Sequence, residues 1–384
     1  MAEIQAPIIP VVADWLRQCP AAISLGQGVA FYGPPEEALA RAGRFGQNAD
    51  EHKYGPVQGQ PQLLALIRAK LAAENGMDLT GRQVVVTAGA NMAFLNALFA
   101  ITDPADEVIL PSPYYFNQEM AVRMVGCEPV LAPTDDDYQL RLDAIRAAIT
   151  PRTRAVVTIS PNNPTGAVYG ESALAEVNAL CRERGIYHIC DEAYENFLYG
   201  QARHFSPGSL PDSAGHTISL YSLSKAYGFA SWRIGYMVVP DHLYSAVLKA
   251  QDTNLICASR IAQEAAIGAL QTGSAYCREH LATLAGVRRA VLDELQALRG
   301  CCAIPATDGA FYFLLKLNAP LEAMVVAERL VREYGVAVIP GNAFGWEEGC
   351  YLRLSYGALQ PDTAVEGVRR LVNGLLRLSG EHSP

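Results

Sequence analysis

A lysine among small, hydroxyl-bearing and aromatic residues is the first place at which this sequence could carry out chemistry. Lys225 lies in YSLSKAYGFASWRIGY, residues 221–236, three residues after Ser222 and eight before Arg233. A solvated helix face would carry several charges over such a stretch, whereas this one has two, both positive. Partial burial and a nearby cation lower the pKa of a lysine and favour its free amine. A free amine at the end of a strand is the group with which a Schiff-base enzyme bonds to a carbonyl carbon.

An acid and a glycine turn supply further groups. Asp191 directly follows the apolar run GIYHIC, and a carboxylate in such surroundings needs a cationic or hydrogen-bonding partner. A protonated pyridine nitrogen would be such a partner. The backbone amides of Gly89 and Ala90, which follow the run RQVVVT, could share one phosphate group with Ser222 and Arg233.

Each of these groups also has an ordinary structural explanation. A single lysine is usually exposed or ion-paired, Asp191 could cap a helix, and the NNPTG segment at residues 162–166 is typical of a turn. Their common position favours a ligand site, because all of them follow apolar runs that predict strands. In a doubly wound sheet, ligands bind beyond the carboxyl ends of the strands.

The apolar runs also predict the fold. Short apolar, β-rich segments alternate with helix-period segments from about residue 60 to about residue 270, a pattern typical of a mostly parallel sheet with helices on both faces. The runs GAFYFLLKL, VAVIP and CYLRLSY predict later strands, and AVEGVRRLVNGLLRL predicts a closing helix. We therefore expect an α/β fold with a large cofactor-binding domain, residues 36–280, and a smaller α+β domain formed by residues 1–35 and 281–384.

Composition and charge exclude several classes of partner. The chain has 384 residues, with 30 basic and 39 acidic side chains and a net charge of −9, whereas nucleic acids and anionic membranes need a concentrated cationic surface. Its first residues lack the pattern of a signal peptide, and no apolar stretch reaches the length of a membrane span. The nine cysteines contain no CxxC pair, so we expect reduced thiols, no bound metal and a cytoplasmic location.

Three motifs, in their order and spacing, resemble those of the class I and II aminotransferases, which are pyridoxal-phosphate enzymes of fold type I. They are SPNNPTG at residues 160–166, CDEAY at 190–194 and SLSKAYGFASWRIG at 222–235. The resemblance runs from LGQG near the N terminus to YLRLSYG near the C terminus. It implies bound pyridoxal 5′-phosphate, amino acid and 2-oxo acid substrates, and a homodimer with shared active sites.

The resemblance also implies which groups react. Lys225 would hold the cofactor as a Schiff base and move protons during the reaction, and Asp191 would pair with the pyridinium nitrogen. Tyr194 and Asn163 match the residues that hydrogen-bond the 3′-oxygen of the ring. The implied mechanism is ping-pong, in which an amino acid leaves as a 2-oxo acid before a second 2-oxo acid accepts the amino group.

By the same resemblance, other residues bind the ring, the phosphate and the substrate. Tyr115 matches an aromatic ring that stacks on the cofactor, and Tyr54 matches a tyrosine that reaches the phosphate of the neighbouring subunit. Arg353 matches the residue that binds the substrate α-carboxylate, a task suited to its planar guanidinium. Gly28 and Asn163 would line the substrate side. The implied phosphate cradle consists of Gly89, Ala90, Asn91, Ser222 and Arg233.

Two departures from the family pattern bear on the site. Gln118 stands where several relatives place a histidine behind the pyridinium-pairing aspartate. Asn91 stands where some bacterial aspartate aminotransferases carry a lysine for the distal carboxylate, which leaves Arg260 as a candidate for that carboxylate. With the aromatic residues Phe31 and Tyr32 near the expected site, we predict a neutral or aromatic amino donor.

Other activities remain compatible with the same residues. An aspartate/glutamate-type aminotransferase would differ in the distal carboxylate site, and a carbon–sulfur β-lyase would use the same Lys225 and Asp191. A cofactor-sensing regulator that binds DNA is disfavoured by the acidic net charge.

Overall fold

The helices and strands follow the apolar runs of the sequence. The structure, a computed structural model, describes residues 4–305 and 307–380. The strands are β1 (Ile23–Ser24), β2 (Arg82–Thr87), β3 (Glu107–Ser112), β4 (Glu128–Pro133), β5 (Thr153–Ile159), β6 (Tyr187–Asp191), β7 (Thr217–Ser222), β8 (Gly235–Pro240), β9 (Cys302–Ala303), β10 (Tyr312–Leu317), β11 (Val336–Ala337), β12 (Ile339–Pro340) and β13 (Cys350–Ser355).

The helices connect these strands. They are α1 (Ile8–Gln18), α2 (Glu36–Arg44), α3 (Pro61–Glu74), α4 (Ala90–Ile101), α5 (Phe116–Met124), α6 (Leu142–Ala148), α7 (Glu171–Arg184), α8 (Leu223–Ala226), α9 (Tyr244–Asn254), α10 (Arg260–Thr272), α11 (Ala275–Leu295), α12 (Ala323–Tyr334) and α13 (Pro361–Gly380). Helix α7 is followed by Gly185, whose φ of +66° is in the left-handed region in which a glycine often ends a helix. Within the described residues, no helix combines the length and the apolarity that a membrane crossing needs.

A seven-stranded sheet has the order β2-β8-β7-β6-β5-β3-β4. The pairs among β3, β4, β5, β6 and β7 are parallel, whereas β8 is antiparallel to both of its neighbours. Every residue of β3 and of β8 is buried, as expected for strands that helices cover on both faces. This mostly parallel sheet confirms the predicted α/β fold class.

A smaller antiparallel sheet has the order β12-β13-β10-β9. The N-terminal strand β1 pairs in parallel with β11, so the first residues of the chain join the C-terminal part. This pairing agrees with the composition expected for the small domain, whose boundaries at residues 35 and 281 stay a prediction.

One large apolar core joins the two sheets. It contains Tyr194 and Tyr221 from the side of the large sheet and Phe311, Phe313 and Leu354 from the side of the small sheet. All five side chains are at most 4% exposed. The small sheet is therefore packed over the edge of the large sheet at which β5, β6 and β7 end.

Candidate active site

The polar residues that the sequence analysis singled out lie at one edge of the large sheet. Asp191 ends β6, Ser222 ends β7, and Lys225 lies in the short helix α8 that follows. Asn163 comes shortly after β5, and Gly89 connects β2 to α4. Strands that run in the same direction end on the same edge of a sheet, which is why these distant segments meet there.

These segments enclose a cavity of about 440 Å³. Its lining includes most of the predicted site residues: Gly28, Ala90, Asn91, Tyr115, Asn163, Asp191, Tyr194, Ser222, Lys225, Arg233 and Arg353. Gly89 lies just behind the lining, against Arg233. Tyr54 is 79% exposed and is not part of the lining. Arg260 is also outside it, because its guanidinium donates to the backbone carbonyls of Asp50 and Lys53.

The side chain of Lys225 points into the cavity, and its ammonium group loses a proton more easily than that of an ordinary lysine. Its Nζ donates to the carbonyl oxygen of Gly28 at 2.5 Å. Burial, followed by the positive charges of Arg353 and Arg233, lowers the pKa of Lys225 from 10.5 to about 8, although Asp191 acts in the opposite direction. About a tenth of this lysine is therefore a free amine at pH 7, against less than a thousandth for an ordinary lysine, and the free amine is the nucleophilic form.

Asp191 is a buried carboxylate held in one orientation. Its side chain accepts from Nε2 of Gln118 at 2.9 Å and from the backbone amide of Ala193 at 3.2 Å. Burial is the largest effect on this group and raises the pKa of Asp191 from 3.8 to about 6. A cation placed against the carboxylate would stabilise its ionised form, and a protonated ring nitrogen has that character.

A positively polarised pocket lies at the start of α4. The backbone of Gly89 has a φ of +81°, and a Cβ at this position would come within 2.6 Å of Nη2 of Arg233. Glycine thus allows the guanidinium to lie against the N terminus of the twelve-residue helix α4. Arg233 also approaches Ser224, with 3.5 Å between Nη1 and Oγ. A helix N terminus, a guanidinium and nearby hydroxyls together suit a phosphate group.

Arg353 enters the cavity from β13. Its side chain is 2% exposed, donates from Nη1 to Oδ1 of Asn163 at 2.9 Å and from Nη2 to the carbonyl of Gly26 at 2.7 Å. Among the described residues, its buried Nε has no partner. The guanidinium brings a positive charge to the cavity wall, where a ligand carboxylate would be stabilised.

The sequence analysis did not single out three polar residues of the lining, Gln27, Ser224 and Tyr312. Tyr312, in β10, has its hydroxyl 2.7 Å from the hydroxyl of Tyr194, and Arg353 lies over its ring at 4.7 Å from Cζ to the centroid. The run GAFYFLLKL predicts the strand but does not indicate which of its residues face the site. That choice depends on the pairing of β10 with β13, where Tyr312 stands opposite Ser355.

The residues present fit pyridoxal phosphate. The positive charge of Arg353 at the cavity wall suits the substrate carboxylate, and the pocket at Gly89 and Arg233 suits the phosphate. Asp191 would hold the ring nitrogen, and the amine of Lys225 would bond to the aldehyde carbon. These four functions require four different chemical groups, and the cavity wall contains all of them.

Comparisons with known proteins agree with this chemistry. The model of the family described as aminotransferase class I and II matches residues 20–371. A probable aspartate/prephenate aminotransferase of Aquifex aeolicus is 36% identical over 92% of this chain and 91% of its own length. The aromatic aminotransferase ISS1 of Arabidopsis thaliana is 32% identical over 97% of this chain and 94% of its own length. The crystal structure of an aromatic aminotransferase from Pyrococcus horikoshii has a TM-score of 0.87 and 31% identity, with coverage of 96% of this chain and 99% of that chain.

Proposed function

The chain belongs to the class I and II aminotransferase family, and from this premise we propose that its amino donor is an L-amino acid with a neutral or aromatic side chain. It is a transaminase that depends on pyridoxal 5′-phosphate and moves an amino group from an amino acid to a 2-oxo acid. The proposal concerns the identity of the donor and the tasks of individual residues.

We assign three tasks to the residues around the reacting atoms. Bound pyridoxal phosphate supplies an electron sink that acidifies the Cα–H bond of the substrate. Arg353 binds the α-carboxylate and thereby orients Cα. The amine of Lys225 accepts the Cα proton, for which a pKa of about 8 is well matched to neutral pH. The ionised Asp191 holds a negative charge against the ring nitrogen, with Gln118 and the amide of Ala193 fixing its orientation.

The observation that carries the donor assignment is the number of cations on the cavity wall. Within the described part of the chain, the lining contains three, Lys225, Arg233 and Arg353. Each of them already has a task at the amine, the phosphate or the α-carboxylate. The rest of the wall includes the apolar side chains of Ile9 and Phe116. A substrate side chain that is neutral or aromatic would fit this wall without leaving a charge unpaired.

A dicarboxylic donor is the second candidate. It is favoured by the relative from Aquifex aeolicus, whose name refers to aspartate. Such a donor would need a cation for its distal carboxylate, and Arg260 is committed to the carbonyls of Asp50 and Lys53. We place this candidate second because a cation from another subunit would be required.

We further propose a cytoplasmic homodimer with shared sites. The support is the exposed phenol of Tyr54, which lies outside the cavity of its own chain. Arg260 fixes the backbone just before it through Lys53. A tyrosine presented in this way is available to the phosphate pocket of a second copy.

A half-reaction screen tests the donor assignment. The holoenzyme is mixed with single amino acids, without any 2-oxo acid, and the absorbance of the bound cofactor is followed. Phenylalanine, tyrosine or neutral aliphatic amino acids are expected to convert the absorbance from the pyridoxal to the pyridoxamine form. Conversion by aspartate and glutamate alone would favour the second candidate. Release of pyruvate and ammonia from a β-substituted amino acid, without conversion, would indicate a β-lyase.

A further inference from the structure

The cavity wall holds a buried phenol to which the proposed function gives no task. Tyr312 is the first residue of β10, is 1% exposed and lines the cavity. Its hydroxyl lies 2.7 Å from the hydroxyl of Tyr194, and within the described residues this is the hydrogen bond that it makes. The direction of this one bond therefore determines where the proton of Tyr194 points.

The neighbours of Tyr194 favour one direction. Arg353 donates to Oδ1 of Asn163, so the amide nitrogen of Asn163 faces the Tyr194 oxygen, at 3.5 Å. If Tyr312 also donates to this oxygen, the proton of Tyr194 is left for an acceptor in the cavity. If Tyr194 donates to Tyr312, no proton is left. A negatively charged oxygen in the cavity makes the first arrangement the stable one.

Both phenols keep their protons at neutral pH. Burial is the largest effect on each: it raises the pKa of Tyr194 well above its usual range, and it raises the pKa of Tyr312 to about 12. Each residue can therefore donate one hydrogen bond throughout the pH range in which the enzyme would be assayed.

The ring of Tyr312 has a second contact, on the substrate side. Tyr312 stands opposite Ser355, and Leu314 stands opposite Arg353, so Tyr312 and Arg353 project from the same face of the small sheet. The Arg353 guanidinium lies over the Tyr312 ring, with 4.7 Å from Cζ to the ring centroid. A buried cation over an aromatic face is stabilised by the ring quadrupole.

Gly28 makes room for the hydroxyl of Tyr312. A Cβ at position 28 would lie 2.2 Å from the hydroxyl oxygen of Tyr312, which is too close for any residue other than glycine unless the phenol moves. The carbonyl of Gly28 accepts from Nζ of Lys225. Tyr312 thus contacts Tyr194 and Arg353, and it lies against Gly28, whose carbonyl binds the amine of Lys225.

We propose that Tyr312 is a positioning residue: its hydroxyl donates to Tyr194 and so directs the Tyr194 proton to the 3′-oxygen of the cofactor, while its ring supports the guanidinium of Arg353. This role rests on the proposed function, because it presumes that Tyr194 faces the cofactor ring and that Arg353 binds the substrate carboxylate.

The hydroxyl is tested by a pH titration of the holoenzyme's visible absorbance. A hydrogen bond donated to the ring oxygen lowers the proton affinity of the lysine-linked nitrogen beside it. We expect Tyr312→Phe to move the titration midpoint to higher pH by about 0.1 to 0.3 unit, because a Tyr194 hydroxyl that no longer accepts from Tyr312 is a weaker donor to the ring oxygen. In the Tyr194→Phe background, Tyr312→Phe is expected to add almost nothing, because the two residues act through one contact. Tyr356→Phe, which alters a buried phenol outside the cavity, is the matched control.

The ring is tested separately by comparing Tyr312→Phe with Tyr312→Leu. Phenylalanine keeps an aromatic face under Arg353, so KM for the amino donor should stay near the wild-type value. Leucine removes the face, and KM should rise by about 2- to 30-fold.

Three results would overturn the proposal: a midpoint in Tyr312→Phe equal to that of Tyr356→Phe, a shift that adds fully to that of Tyr194→Phe, or equal KM values for the two Tyr312 variants. A failure of the proposed function itself would look different. It would show in the wild-type protein, as absent conversion in the half-reaction screen, before any variant is compared.

Discussion

Gln118 donates from Nε2 to Oδ2 of Asp191 at 2.9 Å, and both side chains are buried. The amide of Gln118 does not titrate near neutral pH, so this side chain stays neutral. A histidine at the same position would gain a positive charge as the pH falls. The carboxylate already has a pKa raised to about 6 by burial. The support from Gln118 therefore helps to keep Asp191 ionised at neutral pH.

Gln118→Leu is expected to weaken the binding of pyridoxal phosphate. Loss of a hydrogen bond to the ionised form moves the pKa of Asp191 further upward, so less carboxylate is ionised at pH 7. The dissociation constant, measured by equilibrium dialysis, should rise about tenfold or more, the effect of a hydrogen bond to a charged group. The rise should be smaller at pH 8 than at pH 6.5. Gln296→Leu, at an exposed position, is the control, and equal constants for both variants would contradict this role of Gln118.

The rate of cofactor uptake by the apoenzyme should follow the ionisation of Lys225. With the pKa lowered to about 8, the lysine is an ammonium ion below pH 8 and a free amine above it. The rate constant for reaction with pyridoxal phosphate should therefore rise about tenfold per pH unit well below pH 8 and level off above it. Stopped-flow absorbance measures this profile.

Arg353→Gln is expected to shift that profile to higher pH. The positive charge of Arg353 is one of the causes that lower the pKa of Lys225, and removing it leaves the ammonium ion more stable. Arg369→Gln removes a charge from an exposed part of α13 and should leave the profile in place. A midpoint near 10.5 in the wild-type protein would show that the lysine is not buried among cations.

Arg353→Lys is expected to lower kcat/KM for the amino donor. A lysine keeps the charge but loses the planar fork that binds a carboxylate through two donors. The loss should be about 10- to 100-fold, as for one or two charge-assisted hydrogen bonds. Steady-state kinetics with the best donor of the half-reaction screen measure it, with Arg369→Lys as the control. An unchanged kcat/KM would remove Arg353 from the carboxylate site.

Tyr54 is expected to act in the site of a second subunit. Lys225→Ala and Tyr54→Ala are each expected to be impaired as homodimers. After the two proteins are mixed, unfolded and refolded together, each hybrid dimer would have one intact site, so about a quarter of the wild-type activity should appear. An activity equal to the average of the two separate variants would mean that Tyr54 does not serve a neighbouring site.

Local sequence patterns predicted much of the fold and of the site. Apolar runs located the strands, and the polar residues directly after them, such as Asp191 and Ser222, proved to line the cavity. The left-handed end of α7 at Gly185 was also predictable, because glycine adopts that conformation without strain. In each case the signal lies within a few residues of the feature.

Features that depend on long-range pairing could not be predicted in this way. The place of Tyr312 follows from its register with β13, more than forty residues later in the chain. Arg260 looked available for a distal carboxylate, but its guanidinium is taken up by carbonyls near residue 50. Neither the register nor this loop contact leaves a periodic signal in the sequence.

Locating the lysine that carries the cofactor tests the central claim most directly. The chain has five lysines, Lys53, Lys70, Lys225, Lys249 and Lys316. Borohydride reduction of the holoenzyme fixes the pyridoxyl group on the amine that holds it, and peptide mass spectrometry then locates the added mass. We predict that the mass lies on the peptide containing Lys225 and that Lys225→Ala, unlike Lys249→Ala, abolishes both the label and the visible absorbance. A label on any of the other four lysines, or full transaminase turnover by Lys225→Ala, would contradict the account.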